Sequence, residues 1–191
     1  TMTAHYEREY LRGDMPTGSV DKVYTAADQL NPEDYSDEGY IYLTIAAADQ
    51  SDLTAIHFFV DSTDADILIP EGVYPINKSY RPGTVLGSMG PNDQNRLSTP
   101  FYATLTPQGY LKDAYMWVKG TVTIAKKEGK LYLEVNALNS YDVPVHIIYD
   151  ATLTDVKNIH ILHDKVSKYF QNGQLIIRKD GVEYNVQGEK L

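Results

Sequence analysis

From Lys130 to Leu138 apolar and polar residues alternate without a break, with Leu131, Leu133, Val135 and Ala137 on one side and Tyr132, Glu134 and Asn136 on the other. A period of two is the repeat of a strand that has one face in a core and the other in water. Just upstream, Thr121-Val122-Thr123-Ile124-Ala125 reads as its partner. The two are joined through Lys126-Lys127-Glu128-Gly129, whose glycine accepts the positive φ of a tight hairpin. After Asn139-Ser140-Tyr141-Asp142 the alternation resumes from Val143 to Leu153, placing Val143, Val145, Ile147, Tyr149, Ala151 and Leu153 inward and completing a three-stranded meander.

The first half repeats the pattern in shorter runs. Tyr40 to Ala47 places Ile41, Leu43 and Ile45 on one face, and the denser run Ala55 to Val60 fits a central strand. Further short strands are expected at Ile67 to Ile69, Val73 to Ile76, Thr84 to Leu86, Phe101 to Thr106 and Tyr115 to Lys119, with turns at Pro70-Glu71-Gly72 and Pro107-Gln108-Gly109. Asp28 to Gly39, acidic with one proline, and Gly87 to Pro100 read as long loops. Near the C-terminus, Gln174 to Lys179 and Val182 to Val186 flank Asp180-Gly181, a two-residue hairpin signal, while Thr154 to Phe170 fits strand or helix equally. The expected organisation is a β domain over 1–155, a connecting segment over 156–170 and a C-terminal hairpin over 171–191 packed on the same sheet. The fold class is all-β: an antiparallel sandwich of jelly-roll or immunoglobulin-like kind, with a calycin-like barrel as the alternative.

Composition narrows the chemistry. With 26 acidic against 17 basic residues the net charge is −9, which repels nucleic-acid phosphates and anionic membrane surfaces. Nucleic acid is therefore not an expected partner. No cysteine is present, which excludes disulfides, thiolate nucleophiles, zinc fingers and iron–sulfur clusters. No run approaches the ~18 apolar residues of a membrane-spanning helix. A G-x-S-x-G elbow is absent, and the five histidines, His5, His57, His146, His160 and His163, are scattered. His57 and His146 read as structural or surface residues. His160 and His163 share a face only on a helix, whereas Ile159, Ile161 and Leu162 favour a strand, which points the two apart. Asp61, Asp64 and Asp66 form an acidic turn, read first as solvated and second as a Ca²⁺ loop, since Ca²⁺ takes oxygen ligands.

Two stretches resemble proteins of one kind. Pro70-Glu71-Gly72-Val73-Tyr74-Pro75-Ile76, Pro82-Gly83-Thr84-Val85 and Gly120-Thr121-Val122-Thr123-Ile124 resemble a domain of secreted or lipid-anchored proteins of gut Bacteroidetes. The segment Lys168 to Gly188, with Asn172-Gly173-Gln174-Leu175 and Asp180-Gly181-Val182-Glu183-Tyr184-Asn185, is similar to the short terminal hairpin of exported proteins of that phylum. It also resembles the last strands of sorting domains of the type IX secretion route. The resemblance implies an exported protein of the periplasm or cell surface, with a signal peptide and a lipid anchor upstream of Thr1, and it implies no catalytic residues. The simpler role of the hairpin is to add strands to the sheet and cover an edge.

Sixteen tyrosines are the most unusual feature of the composition. Aromatic rings stack on sugar rings while phenol hydroxyls hydrogen-bond, so tyrosines on loops and polar strand faces are candidate glycan contacts. The candidates are Tyr115, Trp117, Tyr132, Tyr80 and Tyr102, with Tyr110 and Tyr141 on loops; Tyr115, Trp117 and Tyr132 are expected to line one outer surface. Cross-strand packing is the competing role for these rings. The functional expectation is a noncatalytic cell-envelope module recognising glycan. The alternatives are a structural or adhesion component binding another protein at the cell surface, and a small glycoside hydrolase-like enzyme with a carboxylate pair.

Overall fold

The fold was analysed in a computed structural model that describes residues 18–89 and 97–154 and, as backbone strands, residues 167–171, 174–179 and 182–184. By their contacts the residues fall into two units, Thr1–Val156 and Lys157–Leu191. The first contains β1 (Val20–Thr25), β2 (Gln29–Tyr35), a 3-10 turn (Ser36–Glu38), β3 (Tyr40–Ala46), β4 (Asp52–Phe59), β5 (Gly72–Asn77), β6 (Thr84–Leu86), β7 (Phe101–Leu105), β8 (Leu111–Lys127), β9 (Lys130–Asn139) and β10 (Pro144–Asp150). The protein is all-β, and no α-helix occurs among the described residues.

These strands form one sheet in the order β1-β10-β9-β8-β5-β6-β4-β3-β2, and β7 pairs with both β4 and β8. The path β4-β6-β5-β8-β7 therefore returns to β4, a closed barrel of five strands. Two wings leave it, β3–β2 from β4 and β9–β10–β1 from β8. Pairing is antiparallel except for β1 with β10 and β5 with β6. The second unit is a separate antiparallel three-stranded sheet of β11 (Ser167–Gln171), β12 (Gln174–Lys179) and β13 (Val182–Tyr184). β11 assigns strand to the end of the segment left ambiguous by its sequence. The turn Asp180-Gly181 and residues 155–166, His160 and His163 included, lie outside the described residues.

The expected meander is present. The β8–β9 turn holds Glu128 and Gly129 at φ 53° and 74°, the two positive angles whose twist matches that of the flanking strands. Three expectations change. Asp28 to Gly39 is largely strand β2, hidden in the sequence because both of its faces are nearly all solvent-exposed and so show no apolar alternation. As an edge strand carrying Pro32 and acidic residues it is protected against pairing with another chain. Ile67 to Ile69 forms no strand; only an isolated Asp64–Leu68 bridge occurs there, while Ile67 and Ile69 still plug the core. Tyr115 to Lys119 and Thr121 to Ala125 belong to one 17-residue strand, β8.

That continuity conceals a change of phase. The register shifts between Trp117 and Lys119, so the inward positions are odd before the bulge (Tyr115, Trp117) and even after it (Val122, Ile124). Gly120 follows at φ 129°, and a Cβ there would collide with the carbonyl of Asn136 and with Ala137 Cα.

The main core is filled from β1, β3, β4, β5, β8, β9 and β10, with Tyr24, Ile41, Leu43, Ile56, Phe58, Trp117, Leu133 and Ile147 fully enclosed. Each such aliphatic side chain contributes about 1.5–3 kcal/mol of transfer free energy. A second, smaller cluster of Ala55, Phe101, Ala103, Ala114 and Met116 lies on the other side of the sheet, with Leu97 of the long loop packed against it. Across the main core, Tyr24 Oη donates to Asp52 Oδ1 at 2.7 Å and lies 3.1 Å from Thr54 Oγ1, and Lys22 Nζ is 2.6 Å from Asp52 Oδ2. β1 and β4 do not pair with each other, so this cluster ties the parallel edge strand to the barrel. Burial, then the Asp52 charge, raises the Tyr24 phenol far above its usual range and keeps it a donor.

Candidate functional site

The aromatic residues singled out by sequence do not come together. Trp117 is 0% exposed in the main core. Tyr115 and Tyr102 are also buried there, their rings 6.0 Å apart. These three are packing residues, and the expected outer surface of Tyr115, Trp117 and Tyr132 does not exist. The bulge explains it, since alternation counted back from Val122 through an uninterrupted strand assigns Tyr115 and Trp117 to the wrong side. Tyr132 does point outward. Its hydroxyl donates to Glu134 Oε2 at 3.2 Å, its ring centre is 3.5 Å from Lys127 Nζ, and burial followed by Glu134 pushes the phenol up to about 12.

The acidic turn carries its own counter-ion. Lys126 Nζ lies 2.8 Å from Asp64 Oδ2 and 2.9 Å from Asp66 Oδ2. Asp64 Oδ1 also accepts the backbone N–H of Asp66 at 2.8 Å and of Ile67 at 3.1 Å, and with the Lys126 ammonium these bonds hold the carboxyl below its usual range. Asp61 Oδ1 accepts from Ser62 Oγ at 3.3 Å. The ammonium stands where a cation held by Asp64 and Asp66 would be.

Tyr80 leads to a different surface. It is 56% exposed, and its ring lies 5.5 Å from that of Phe59. Phe59 packs on His57 at 4.8 Å, His57 on Tyr40 at 4.6 Å and edge-on to Tyr42 at 6.4 Å, and Tyr40 stacks on Tyr35 at 4.9 Å with planes 22° apart. Five rings thus run in a row across β2, β3, β4 and the β5–β6 loop, and Tyr42 joins from the side at His57, packed also against the second apolar cluster. All the strand members lie on one face, because Tyr35 is registered with Tyr40, Tyr40 with Phe59 and Tyr42 with His57, while Ile41, Leu43, Ile56 and Phe58 fill the core behind them. At one end the row is fringed by carboxylates. Tyr35 Oη donates to Glu33 Oε2 at 2.9 Å, which raises its pKa, and the Tyr40 phenol is raised by desolvation and by Glu38. His57 is the polar exception. Its Nε2 is enclosed and has no hydrogen-bond partner among the described residues, and desolvation lowers its pKa, so the imidazole is held neutral between two aromatic rings.

The same face continues past the rings. Asn31 is registered with Thr44 and Gln29 with Ala46, and Ala46 pairs with Leu53. Beyond them a cavity of about 530 Å³ opens between the β3–β4 and β7–β8 turns, with Gln29, Asp49, Gln50, Leu53, Leu105 and Thr106 in its wall.

The outer face of β1, β10 and β9 is built otherwise. His146 Nδ1 is 3.1 Å from Asp21 Oδ1 and its Nε2 3.1 Å from Glu134 Oε1, and Glu134 also takes Asn136 Nδ2 at 3.2 Å. With Lys127 bound to Asp150 at 2.9 Å, this face has its polar groups joined to one another.

Sequence reading missed Tyr35, Tyr40, Tyr42, His57 and Phe59, although a signal existed. If Ile41, Leu43 and Ile45 face the core, Tyr40 and Tyr42 must face out, and His57 and Phe59 likewise alternate with Ile56 and Phe58. No protein-family model, no curated protein and no solved structure matches the chain.

Proposed function

We propose that this chain is a noncatalytic glycan-binding module of the cell envelope, and that the row Tyr35, Tyr40, Tyr42, His57, Phe59 and Tyr80 is where the sugar rests. The observation that carries the reading is that row itself: six aromatic rings at 4.6–6.4 Å spacing on the face of the sheet away from the main core, with Tyr35 and Tyr80 exposed, Tyr40, His57 and Phe59 half-buried and Tyr42 packed in part against the second cluster. Rings there present apolar faces to the C–H surface of a pyranose, while the Tyr hydroxyls, Glu33 and Glu38 offer hydrogen bonds to its hydroxyls. Strand-borne residues locked by a packed core are held in place before the ligand arrives, which lowers the ordering cost of binding. The envelope location belongs to the same proposal and is supported by the Lys168–Gly188 resemblance. So does the finer reading of the architecture as a sandwich, supported by Tyr24 reaching from β1 to Asp52 on β4.

A glycan array probed with the full chain, with and without Ca²⁺, and repeated with Tyr40→Ala, tests this. A saturable hit that Tyr40→Ala abolishes is the expected result, with Ca²⁺ making no difference. No hit under either condition contradicts it and turns the search to a protein partner for the same rings. Turnover of a bound glycan would instead favour the hydrolase alternative.

A further inference from the structure

Resting on that reading, we infer that the ligand is a linear, neutral oligosaccharide that runs along β2 and β3 from the aromatic row into the 530 Å³ cavity, which receives one end of it. The register defines the path. Four cross-strand pairs on one face, Tyr35–Tyr40, Glu33–Tyr42, Asn31–Thr44 and Gln29–Ala46, follow one another from ring to cavity. Six residues of strand separate Tyr40 from Ala46, roughly 20 Å at the rise of a β-strand. That is longer than a disaccharide and matches a chain of several sugar rings.

The chemistry changes along this path in a manner that suits such a chain. At the start are flat rings. In the middle Thr44 and Asn31 are polar, and Thr44 Oγ1 bonds back to the Asn31 carbonyl at 3.3 Å. On the exposed edge strand, Glu33, Asn31 and Gln29 stand side by side as a carboxylate and two amides, groups that bond sugar hydroxyls as donor and acceptor. At the far end the cavity is enclosed by the turn residues Asp49, Gln50, Ser51, Thr106, Pro107 and Gly109. Of its two carboxylates Asp52 is paired with Lys22, so Asp49 carries the charge of the wall, which contains neither lysine nor arginine, and the edge row adds Glu33. Carboxylates disfavour uronic-acid or sulfated chains, so the class is neutral.

The test is a chain-length series. Neutral β-1,4-linked glucose, xylose, mannose and N-acetylglucosamine oligomers, from disaccharide to hexasaccharide, are titrated calorimetrically against the full chain, with oligogalacturonate as the acidic comparison. Affinity is expected to rise with length by about tenfold or more between disaccharide and hexasaccharide, a step of about 1.4 kcal/mol. Gln29→Trp fills the cavity mouth from an exposed position, and it should remove that gain. Asn31→Ala removes one amide without added bulk and should reduce the gain by itself, giving an independent reading if Gln29→Trp melts early. A hexasaccharide that binds no better than the disaccharide, or whose advantage survives both substitutions, overturns the inference while leaving the aromatic site intact. Preference for oligogalacturonate overturns its neutral class. No binding at any length, with Tyr40→Ala indistinguishable from the unaltered chain, removes the underlying site as well.

Discussion

The two wings of the barrel present outer faces of opposite design. On β9, β10 and β1, His146 sits between Asp21 and Glu134, Glu134 holds Asn136 and Tyr132, and Lys127 covers the Tyr132 ring and pairs with Asp150. On β2, β3 and β4 the corresponding positions are rings stacked on rings, and the one imidazole among them has an enclosed nitrogen with no partner among the described residues. A face whose polar groups already bond to each other gains little from a ligand that must first break those bonds. A face of flat apolar rings fringed with hydroxyls and carboxylates gains from covering them. The same sheet thus separates a surface bonded to itself from the one proposed to receive a ligand.

The largest expected effect erases both faces together. Gly120→Ala should lower stability by about 3 kcal/mol or more, because the new Cβ meets the Asn136 carbonyl and because φ 129° is unfavourable for any other residue. Chemical denaturation would show this as a lower midpoint, and an unchanged midpoint would mean that the bulge relaxes freely. Next, Tyr40→Ala is expected to weaken glycan binding by about 2 kcal/mol, close to thirtyfold in Kd, as for a central aromatic anchor. The same titration on His146→Ala should give the unaltered affinity, while its melting reports a loss of about 0.5–1 kcal/mol from two part-exposed ion pairs. Reversal of those two results would exchange the roles assigned to the faces.

The smallest effect concerns pH. His57 is desolvated, so its pKa in the folded chain lies below the unfolded value of about 6.5. Between the two values the unfolded chain binds the extra proton, and stability therefore rises with pH in that window. The contribution is complete above pH ~6.5 and is lost as pH falls toward the depressed native value. His57→Phe, which keeps the stack and removes the proton site, should flatten this slope in melts between pH 5 and pH 7, and an identical slope would show that another group is responsible.

Strands whose two faces differ are legible in this sequence: β3, β9 and β10 declare themselves by alternation, β4 declares itself by a dense apolar run, and Glu128-Gly129 declares the turn. β2 is not, because Gln29 to Tyr35 faces solvent almost throughout and its pairing is decided by β3 rather than by its own residues. The parallel partner of β1 is equally hidden, since Val20–Thr25 meets Val145–Asp150 across more than a hundred residues. The expected outer surface of Tyr115, Trp117 and Tyr132 fails for a local reason. One bulge at Trp117–Lys119 inverts the phase of a long strand, which moved the only tryptophan from surface to core. The aromatic row was visible in principle, as the polar-side partners of residues already assigned inward, but no single tyrosine announces that five other rings will join it across four segments.

The most direct test of the receptive face is an NMR titration of the isotope-labelled chain with the tightest-binding neutral hexasaccharide. Shift changes are expected at Tyr35, Tyr40, Tyr42, His57 and Phe59 and onward to Asn31 and Gln29, with Asp21, Glu134 and His146 unmoved. Changes centred on the β9–β10–β1 face, or none at saturating sugar, would contradict the account.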